Sequence, residues 1–201
     1  REAGDRSRPT LLLLHGFPSS SHMFRDLIPE LADRYHVIAP DLPGFGQSAM
    51  KPRDVFSYTF DNIADVIDRF TEVVGLTRFA IAGNSMGGNV AWEYALAYPQ
   101  DIQALILVDS SGWEDTREQA QQDPPIFKLL RNPVLGPLLR DLDNTQLARG
   151  GLEAAFYDPM LADDAMVQRY VQLARAPGHR DILLQMTLGF RGRQYATPER
   201  L

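Results

Sequence analysis

The chain has 201 residues, a formal net charge of −6 and a sequence pI near 5.2, a balance that argues against a nucleic-acid-binding protein, which normally carries a basic face. It contains no cysteine, which excludes disulfides, thiolate metal sites and cysteine nucleophiles. The longest apolar runs have five residues, far fewer than the ~20 that cross a bilayer. The charged segment Arg1–Arg8 does not resemble a secretory signal, so we predict a cytoplasmic protein without a membrane span.

Short apolar runs, which predict buried strands, alternate with segments of helical periodicity. In chain order we predict strand Leu11–Leu14, helix Met23–Leu31, strand His36–Ala39, helix Phe60–Val74, strand Phe79–Ala82, helix Met86–Tyr98 and strand Ala104–Val108. Parallel pairing requires such helical crossovers, and uniformly apolar strands fit a sheet covered on both faces. We therefore predict a doubly wound α/β fold with a mostly parallel sheet.

The composition changes near Trp113, and prolines recur from Asp123 onward. No convincing strand follows, and three segments with one apolar side predict helices: Leu152–Tyr157, Ala165–Leu173 and Ile182–Leu188. A helical block after such an array is typical of a lid at the carboxyl edge of the sheet. We therefore divide the chain into an α/β core (1–112) and a helical lid or cap (113–201).

Residues Gly83–Gly87 read Gly-Asn-Ser-Met-Gly, with Gly88 following. They lie between a predicted strand and a predicted helix, as a nucleophile elbow requires. Glycines are needed there because side chains would collide with the neighbouring strand and helix. Ser85 would be exposed at a helix N-terminus, where N–H groups and the helix dipole favour negative charge. The alternative is a strand–helix turn without chemistry.

The segment His15–Pro18 directly follows the first strand. Glycine at its second position would let the N–H of Phe17 face the same site as the N–H of Met86, and together they would form an oxyanion hole. We expect His15 to hold this loop by hydrogen bonding rather than to act as a general base. The segment Asp41–Ser48 predicts a further turn, in which Asp41 binds backbone amides and which lines one side of the substrate pocket.

These three segments together resemble the lid-bearing, serine esterase-like branch of the α/β-hydrolase superfamily, from about Arg8 into the helical block. The early part also resembles epoxide hydrolases. These enzymes and the haloalkane dehalogenases of the fold carry aspartate as nucleophile, whereas this chain has Ser85. The resemblance implies a small-molecule ester substrate and no metal or organic cofactor. Residues Gly83–Gly88 are also similar to serine hydrolases that cut carbon–carbon bonds of ring-cleavage products.

Members of the superfamily place the triad acid and then the histidine after the lid. None of the four histidines has that place: His15, His22, His36 and His179, the last expected in a solvent-facing turn of the lid. We expect a fold incomplete at both ends, in which Arg1–Asp5 ends an earlier strand and Ala104–Val108 is a bare apolar edge. A missing segment or a partner chain would complete the sheet.

Asp109 ends the last predicted strand on the catalytic edge, from which some related hydrolases take their triad acid. The alternative is a turn residue that binds the amides of Ser111 or Gly112. An acid alone would do little, because its role is to orient a histidine.

The leading hypothesis is a serine hydrolase that cleaves a carboxylic ester through an acyl-enzyme on Ser85. One alternative is carbon–carbon bond hydrolysis by the same residues, and another is a non-catalytic binding module or inactive fragment. A small or medium hydrophobic acyl or alcohol group is suggested by apolar side chains of the lid: Phe127, Leu129, Leu130, Leu138, Leu139 and Phe156.

Overall fold

The computed structural model describes residues 1–52, 54–113, 132, 134–135, 143–189, 196–197 and 199–200, with the backbone alone at 187–189. The described residues form a five-stranded sheet in the order β1-β3-β2-β4-β5. Its strands are β1 (Glu2–Ala3), β2 (Thr10–Leu14), β3 (His36–Ile38), β4 (Phe79–Asn84) and β5 (Ile102–Val108). All neighbours pair in parallel except β1, which is antiparallel to β3. The predicted mostly parallel α/β sheet is confirmed.

Six α-helices lie in the described part of the chain. They are α1 (Leu27–Ala32), α2 (Phe60–Val73), α3 (Met86–Ala97), α4 (Thr145–Ala155), α5 (Asp164–Ala174) and α6 (His179–Gly189). Short 3₁₀ helices occupy Ser21–Phe24, Pro99–Asp101 and Pro159–Leu161. None of the helices within the described ranges is both long and apolar enough to span a membrane.

Helices cover both faces of the sheet because side chains alternate along each strand. Leu11, Leu13 and Ala82 pack in one cluster with Phe24 and Ile28, on the side of α1. Gly83 points to the opposite side, where the backbone of α3 lies against it. Both faces of the central strands are therefore buried, as their uniformly apolar sequences require.

The first predicted helix is divided in the structure, contrary to the single helix Met23–Leu31. A 3₁₀ turn at Ser21–Phe24 ends with the Arg25 N–H bonded to the His22 carbonyl at 3.1 Å, and α1 begins separately at Leu27. Pro29 explains the division, because a proline without an N–H is tolerated in the first turn of a helix but not in its interior.

Strand β5 is the edge strand of the described sheet. Its apolar side chains Ile106, Leu107 and Val108 are 44%, 45% and 52% exposed, although the same kind of sequence is buried in β2. Within the described residues no strand pairs with the outer side of β5. The expected bare apolar edge is therefore present in this part of the chain.

The chain divides into two compact units, Arg1–Asp115 with Gly192–Leu201, and Thr116–Arg191. In the first, the Ala196 N–H donates to the Gly112 carbonyl at 2.7 Å, and the Arg200 guanidinium lies 5.1 Å from the centre of the Trp92 ring. The boundary expected at 112 stays a prediction.

In the second unit, α4 and α5 bury Leu152, Val167 and Val171 together. The Asp163 carboxylate caps α5 by accepting from the Met166 N–H at 2.7 Å. Of the six lid side chains linked to substrate choice, Phe156 alone belongs to the described residues; it is half-buried against this cluster.

Candidate active site

A single residue, Ser85, turns the chain from β4 into α3. Its backbone has φ 51° and ψ −114°, a conformation that side-chain-bearing residues rarely adopt and that structures retain where the surroundings enforce it. Three backbone bonds enforce it here. The Ser85 N–H donates to Val108 at 3.1 Å, and its carbonyl accepts from Ser111 at 3.0 Å and from Asn89 at 3.2 Å. The bend is therefore fastened to the end of β5 as well as to its own helix.

The glycines around Ser85 are required by close backbone contacts. A Cβ on Gly83 would collide with the carbonyl of Gly87, and one on Gly87 would collide with the carbonyl of Leu14. A Cβ on Gly88 would lie 2.5 Å from the Ser110 hydroxyl oxygen. Real side chains do not tolerate such distances, so the spacing seen in the sequence matches a steric need.

The loop after β2 lies directly against the bend. A Cβ on Gly16 would be 3.3 Å from the Cβ of Ser85 and 2.9 Å from the Asn84 side-chain oxygen. The structure thus brings the His15–Pro18 segment and Ser85 together. The Phe17 ring packs edge-on against Phe45, with centroids 5.9 Å apart.

Ser85 itself is half-buried, and its hydroxyl forms no hydrogen bond within the described residues. Met86 is the first residue of α3 and is buried. The N–H groups of the first helical turn have no partner in the helix, and they concentrate positive potential there. The hydroxyl is therefore left open beside an electropositive helix end. The oxyanion roles of Phe17 and Met86 remain predictions.

His15 is fully buried and both ring nitrogens are engaged. Nε2 accepts from the Leu42 N–H at 3.0 Å, so Nδ1 carries the proton and donates to the Gly16 carbonyl at 2.9 Å. Burial lowers the pKa of His15 to about 4, because the charged ring would lose its hydration. His15 is thus a neutral brace between two loops, as expected from the sequence.

The remaining histidines are also not hydrogen-bonded to Ser85. In the first unit, His36 contacts Glu2 at 2.8 Å and Thr10 at 3.2 Å, while the His22 Nδ1 lies 2.8 Å from the Arg1 guanidinium. His179 belongs to the second unit.

The expectation that His179 faces solvent is wrong. It is 8% exposed and begins α6, earlier than the predicted start at Ile182. Gly178 adopts φ 80° just before it, a conformation open to glycine that brings the chain into the helix there. The ring nitrogens of His179 have no hydrogen-bond partner in the part of the chain that the structure describes.

Asp109 follows β5 and has φ 46°. Ser85 and Asp109 are the two non-glycine residues with positive φ in the described ranges, and they stand at the ends of adjacent parallel strands. Asp109 is exposed. The turn alternative named the amides of Ser111 or Gly112, and of these the Ser111 amide donates to the Ser85 carbonyl. The Asp109 carboxylate thus forms no hydrogen bond with the described residues.

Asp41 has the expected role of binding backbone amides. Its carboxylate accepts from the N–H of Ser21 at 2.7 Å and of Gln47 at 2.8 Å. Burial raises the pKa of Asp41, but these two hydrogen bonds outweigh it, so the pKa is below its usual value. Gly46, with φ 56°, leaves room for the carboxylate.

Sequence reasoning missed two side chains that hold the bend. The Asn84 amide donates to the Val108 carbonyl at 3.1 Å, and the Ser111 hydroxyl lies 3.3 Å from the Ser85 carbonyl oxygen. Polar residues directly before the serine and directly after the next strand were the available signal. Among the described residues, no group of three histidines or carboxylates could hold a metal ion.

The sequence model of the alpha/beta hydrolase fold family matches residues 9–180. The chain therefore belongs to this family, and the recognised resemblance is confirmed.

Individual relatives cover several hydrolase types. An uncharacterized hydrolase of Saccharomyces cerevisiae is 39% identical over 57% of this chain and 39% of its own length. A haloalkane dehalogenase of Mesorhizobium japonicum is 36% identical over 71% of this chain and 46% of its own length. The chain thus spans less than half the length of these curated relatives.

Among solved structures, Cfl2 from Burkholderia cenocepacia has a TM-score of 0.81 at 26% identity, covering 92% of this chain and 65% of that one. The 2-hydroxy-6-oxo-6-phenylhexa-2,4-dienoate hydrolase BphD of a Rhodococcus species has a TM-score of 0.79 at 26% identity, covering 100% of this chain and 71% of that one.

Proposed function

We propose that this chain carries the nucleophile of a serine hydrolase that cleaves carboxylic esters, with Ser85 as the attacking residue. The observation that carries the proposal is the enforced bend at Ser85, with φ 51° and a hydroxyl that no described residue binds. A serine on a sharp strand-to-helix turn is the form in which this fold presents an acyl-accepting hydroxyl.

The chemistry of serine favours acyl transfer over the reactions named for some relatives. Attack of a serine oxygen on an ester carbonyl forms an acyl-enzyme that water can hydrolyse. Attack on an epoxide or a haloalkane carbon would instead leave an ether, which water does not cleave under these conditions. A relative named haloalkane dehalogenase therefore supports the scaffold rather than that reaction for Ser85.

Two backbone amides would stabilise the tetrahedral intermediate. The Met86 N–H stands at the first position of α3, and the Phe17 N–H belongs to the loop whose Gly16 contacts Ser85. In a well-studied protease, loss of one such donor costs about 3–4 kcal/mol of transition-state stabilisation.

A histidine must accept the Ser85 proton and return it to the leaving alcohol, after which it activates the water that releases the acid. No histidine within the described ranges hydrogen-bonds Ser85, so we assign this role to none of them. We propose Asp109 as the acid that orients this histidine. Its place at the end of the strand next to Ser85 and its unengaged carboxylate support this role.

Cleavage of a carbon–carbon bond is the second candidate, because the match to BphD covers the whole of this chain. A phenyl-substituted dienoate such as the one in that enzyme's name would be attacked at a ketone carbon by the same Ser85. A p-nitrophenyl ester and such a dienoate, assayed side by side, separate the two reactions. We expect faster turnover of the ester, and faster turnover of the dienoate would favour the second candidate.

Labelling with a fluorophosphonate tests the nucleophile directly. In the protein that supplies the triad histidine, the wild type should bind the probe covalently, in a one-to-one ratio and at Ser85 by peptide mass spectrometry. Ser85→Ala should abolish labelling, whereas Ser57→Ala should not, because Ser57 is an exposed loop serine far along the chain from the bend. Absence of labelling in wild type, together with no ester turnover, would contradict the proposal and support a binding module.

A further inference from the structure

A cavity of about 420 Å³ lies between the loop that follows β3 and helix α2. Pockets of roughly 300–1,000 Å³ with mostly apolar walls and a few polar groups hold small organic molecules. Phe17, Ser85 and Met86 do not line this cavity. It is therefore separate from the candidate active site.

The walls of the cavity are formed mainly by apolar side chains. Helix α2 contributes Val66, Ile67 and Phe70, and the loop contributes Phe56. Tyr58 packs edge-on against Phe56 at 4.8 Å. These side chains form a concave surface of aliphatic and aromatic carbon, which favours a hydrophobic ligand.

The loop is held in place by a reciprocal pair of hydrogen bonds. The Tyr58 hydroxyl accepts from the Lys51 N–H at 2.9 Å and donates to the Lys51 carbonyl at 3.1 Å. Because Tyr58 is buried, this pair places Lys51 at the mouth of the cavity.

The cavity is lined by one carboxylate and one ammonium group, and only the carboxylate has hydrogen-bond partners among the described residues. The Asp41 carboxylate already accepts two backbone N–H groups. The Lys51 ammonium lies 5.8 Å from the centre of the Phe56 ring, and no carboxylate of the described residues pairs with it. Lys51 is one of two lysines in a chain with eighteen arginines. An ammonium whose donors no described residue takes, beside an apolar hollow, favours an anionic ligand with a hydrophobic body.

We propose that this cavity binds a small hydrophobic carboxylate. Its carbon body lies against Val66, Ile67 and Phe70, and its carboxylate pairs with the Lys51 ammonium. This binding site is independent of the proposed ester cleavage and requires no residue of the Ser85 bend.

The test uses 4-phenylbutyrate as the probe and isothermal titration calorimetry of the full chain carrying Ser85→Ala. We expect one probe molecule to bind per chain. Lys51→Gln should raise the Kd about fivefold, as expected for the loss of an exposed ion pair of about 1 kcal/mol. The matched control is Lys128→Gln, at the other lysine, which should leave the Kd unchanged. The neutral 4-phenylbutyramide should bind equally to wild type and Lys51→Gln.

Three results would overturn the proposal. One is no binding of the probe at millimolar concentration, and another is an equal Kd in Lys51→Gln. The third is loss of binding when Ser85 of the wild-type chain is blocked by a fluorophosphonate, since the probe would then occupy the other site.

A second measurement does not depend on affinity. Acetic anhydride labels lysine ammonium groups, and peptide mass spectrometry separates Lys51 from Lys128. The probe should slow acetylation of Lys51 at least severalfold and leave Lys128 unaffected. Equal protection of both lysines, or of neither, would contradict the assignment.

Discussion

Helices α3 and α5 both begin at a residue type that usually caps a helix, but the two starts differ. Asp163 precedes α5 in an extended conformation, with φ −66° and ψ 168°, and its carboxylate accepts the Met166 N–H at 2.7 Å. Ser85 precedes α3 with φ 51° and makes no side-chain cap bond. A capping side chain needs the extended backbone to reach back to the helix. The bend at Ser85 gives up that bond and leaves the hydroxyl open.

The glycines of α3 and those of α4 also differ in their surroundings. The glycines at the start of α3 touch neighbouring backbone, whereas Gly150 and Gly151 in α4 have nothing within 4 Å of an added Cβ. One residue type thus serves two purposes. At the bend it permits close approach of backbones, and in the helical unit it only lowers helix stability.

The largest expected effect concerns Asp109, the proposed triad acid. In the protein that supplies the triad histidine, Asp109→Asn should lower kcat for an ester about 10⁴-fold, the loss seen when a serine protease triad acid becomes an amide. Stopped-flow or steady-state assays of p-nitrophenyl ester hydrolysis measure kcat, and Asp54→Asn in an exposed loop is the control. A change below tenfold would identify Asp109 as an ordinary turn residue.

Gly87→Ala should be the most damaging substitution for stability. The new methyl group would press on the Leu14 carbonyl, and we expect roughly 4 kcal/mol loss in the free energy of unfolding. Urea denaturation followed by circular dichroism measures this loss. The matched variant Gly150→Ala, within α4, should instead gain about 0.5–1 kcal/mol. Equal effects of the two substitutions would disprove the difference between the regions.

His15 makes the first unit sensitive to mild acid. Its folded pKa is about 4, and an unfolded histidine titrates near 6.5, so the unfolded chain binds the proton first. The contribution of neutral His15 to the free energy of unfolding is complete above about pH 6.5. It is lost as the pH falls towards 4, and the total loss is about 3 kcal/mol. Urea titrations at pH 7, 5.5 and 4.5 measure it.

The His15→Gln variant is the comparison for this pH effect. It should be less stable at pH 7 because the bonds to Gly16 and Leu42 are altered, but it should lose little further stability towards pH 4.5. His22→Gln should keep the wild-type dependence. A wild-type pH slope that persists in His15→Gln would point to another group.

The smallest expected effect is on stability and distinguishes the N-terminus of α5 from that of α3. Asp163→Ala should lower stability by about 1 kcal/mol, because the cap on Met166 is lost. Ser85→Ala should change stability by less than about 0.5 kcal/mol, since no cap bond exists there to lose. Thermal unfolding of both variants measures the difference. A comparable loss in Ser85→Ala would mean that its hydroxyl does cap α3.

Much of the sheet and the bend at Ser85 could be predicted from the sequence, because apolar periodicity and glycine spacing within short segments determine them. Four predicted strands are present, and the glycines at 83, 87 and 88 proved to be sterically required. The first helix and His179 were misjudged because Pro29 and Gly178 acted through helix ends, where sequence signals are weakest. The contribution of Asn84 was not visible because its partner, Val108, is distant in sequence.

The sequence by itself determined that a serine stands between a buried strand and a helix, since apolar periodicity and glycine spacing are local properties. The tertiary structure alone decided how that serine is held, through the carbonyl of Val108, the amide of Ser111 and the backbone of Gly16. It also decided that His15 is neutral and that Lys51 faces a cavity. Burial and pairing depend on residues far apart along the chain, and they become fixed only when parallel strands bring their ends together.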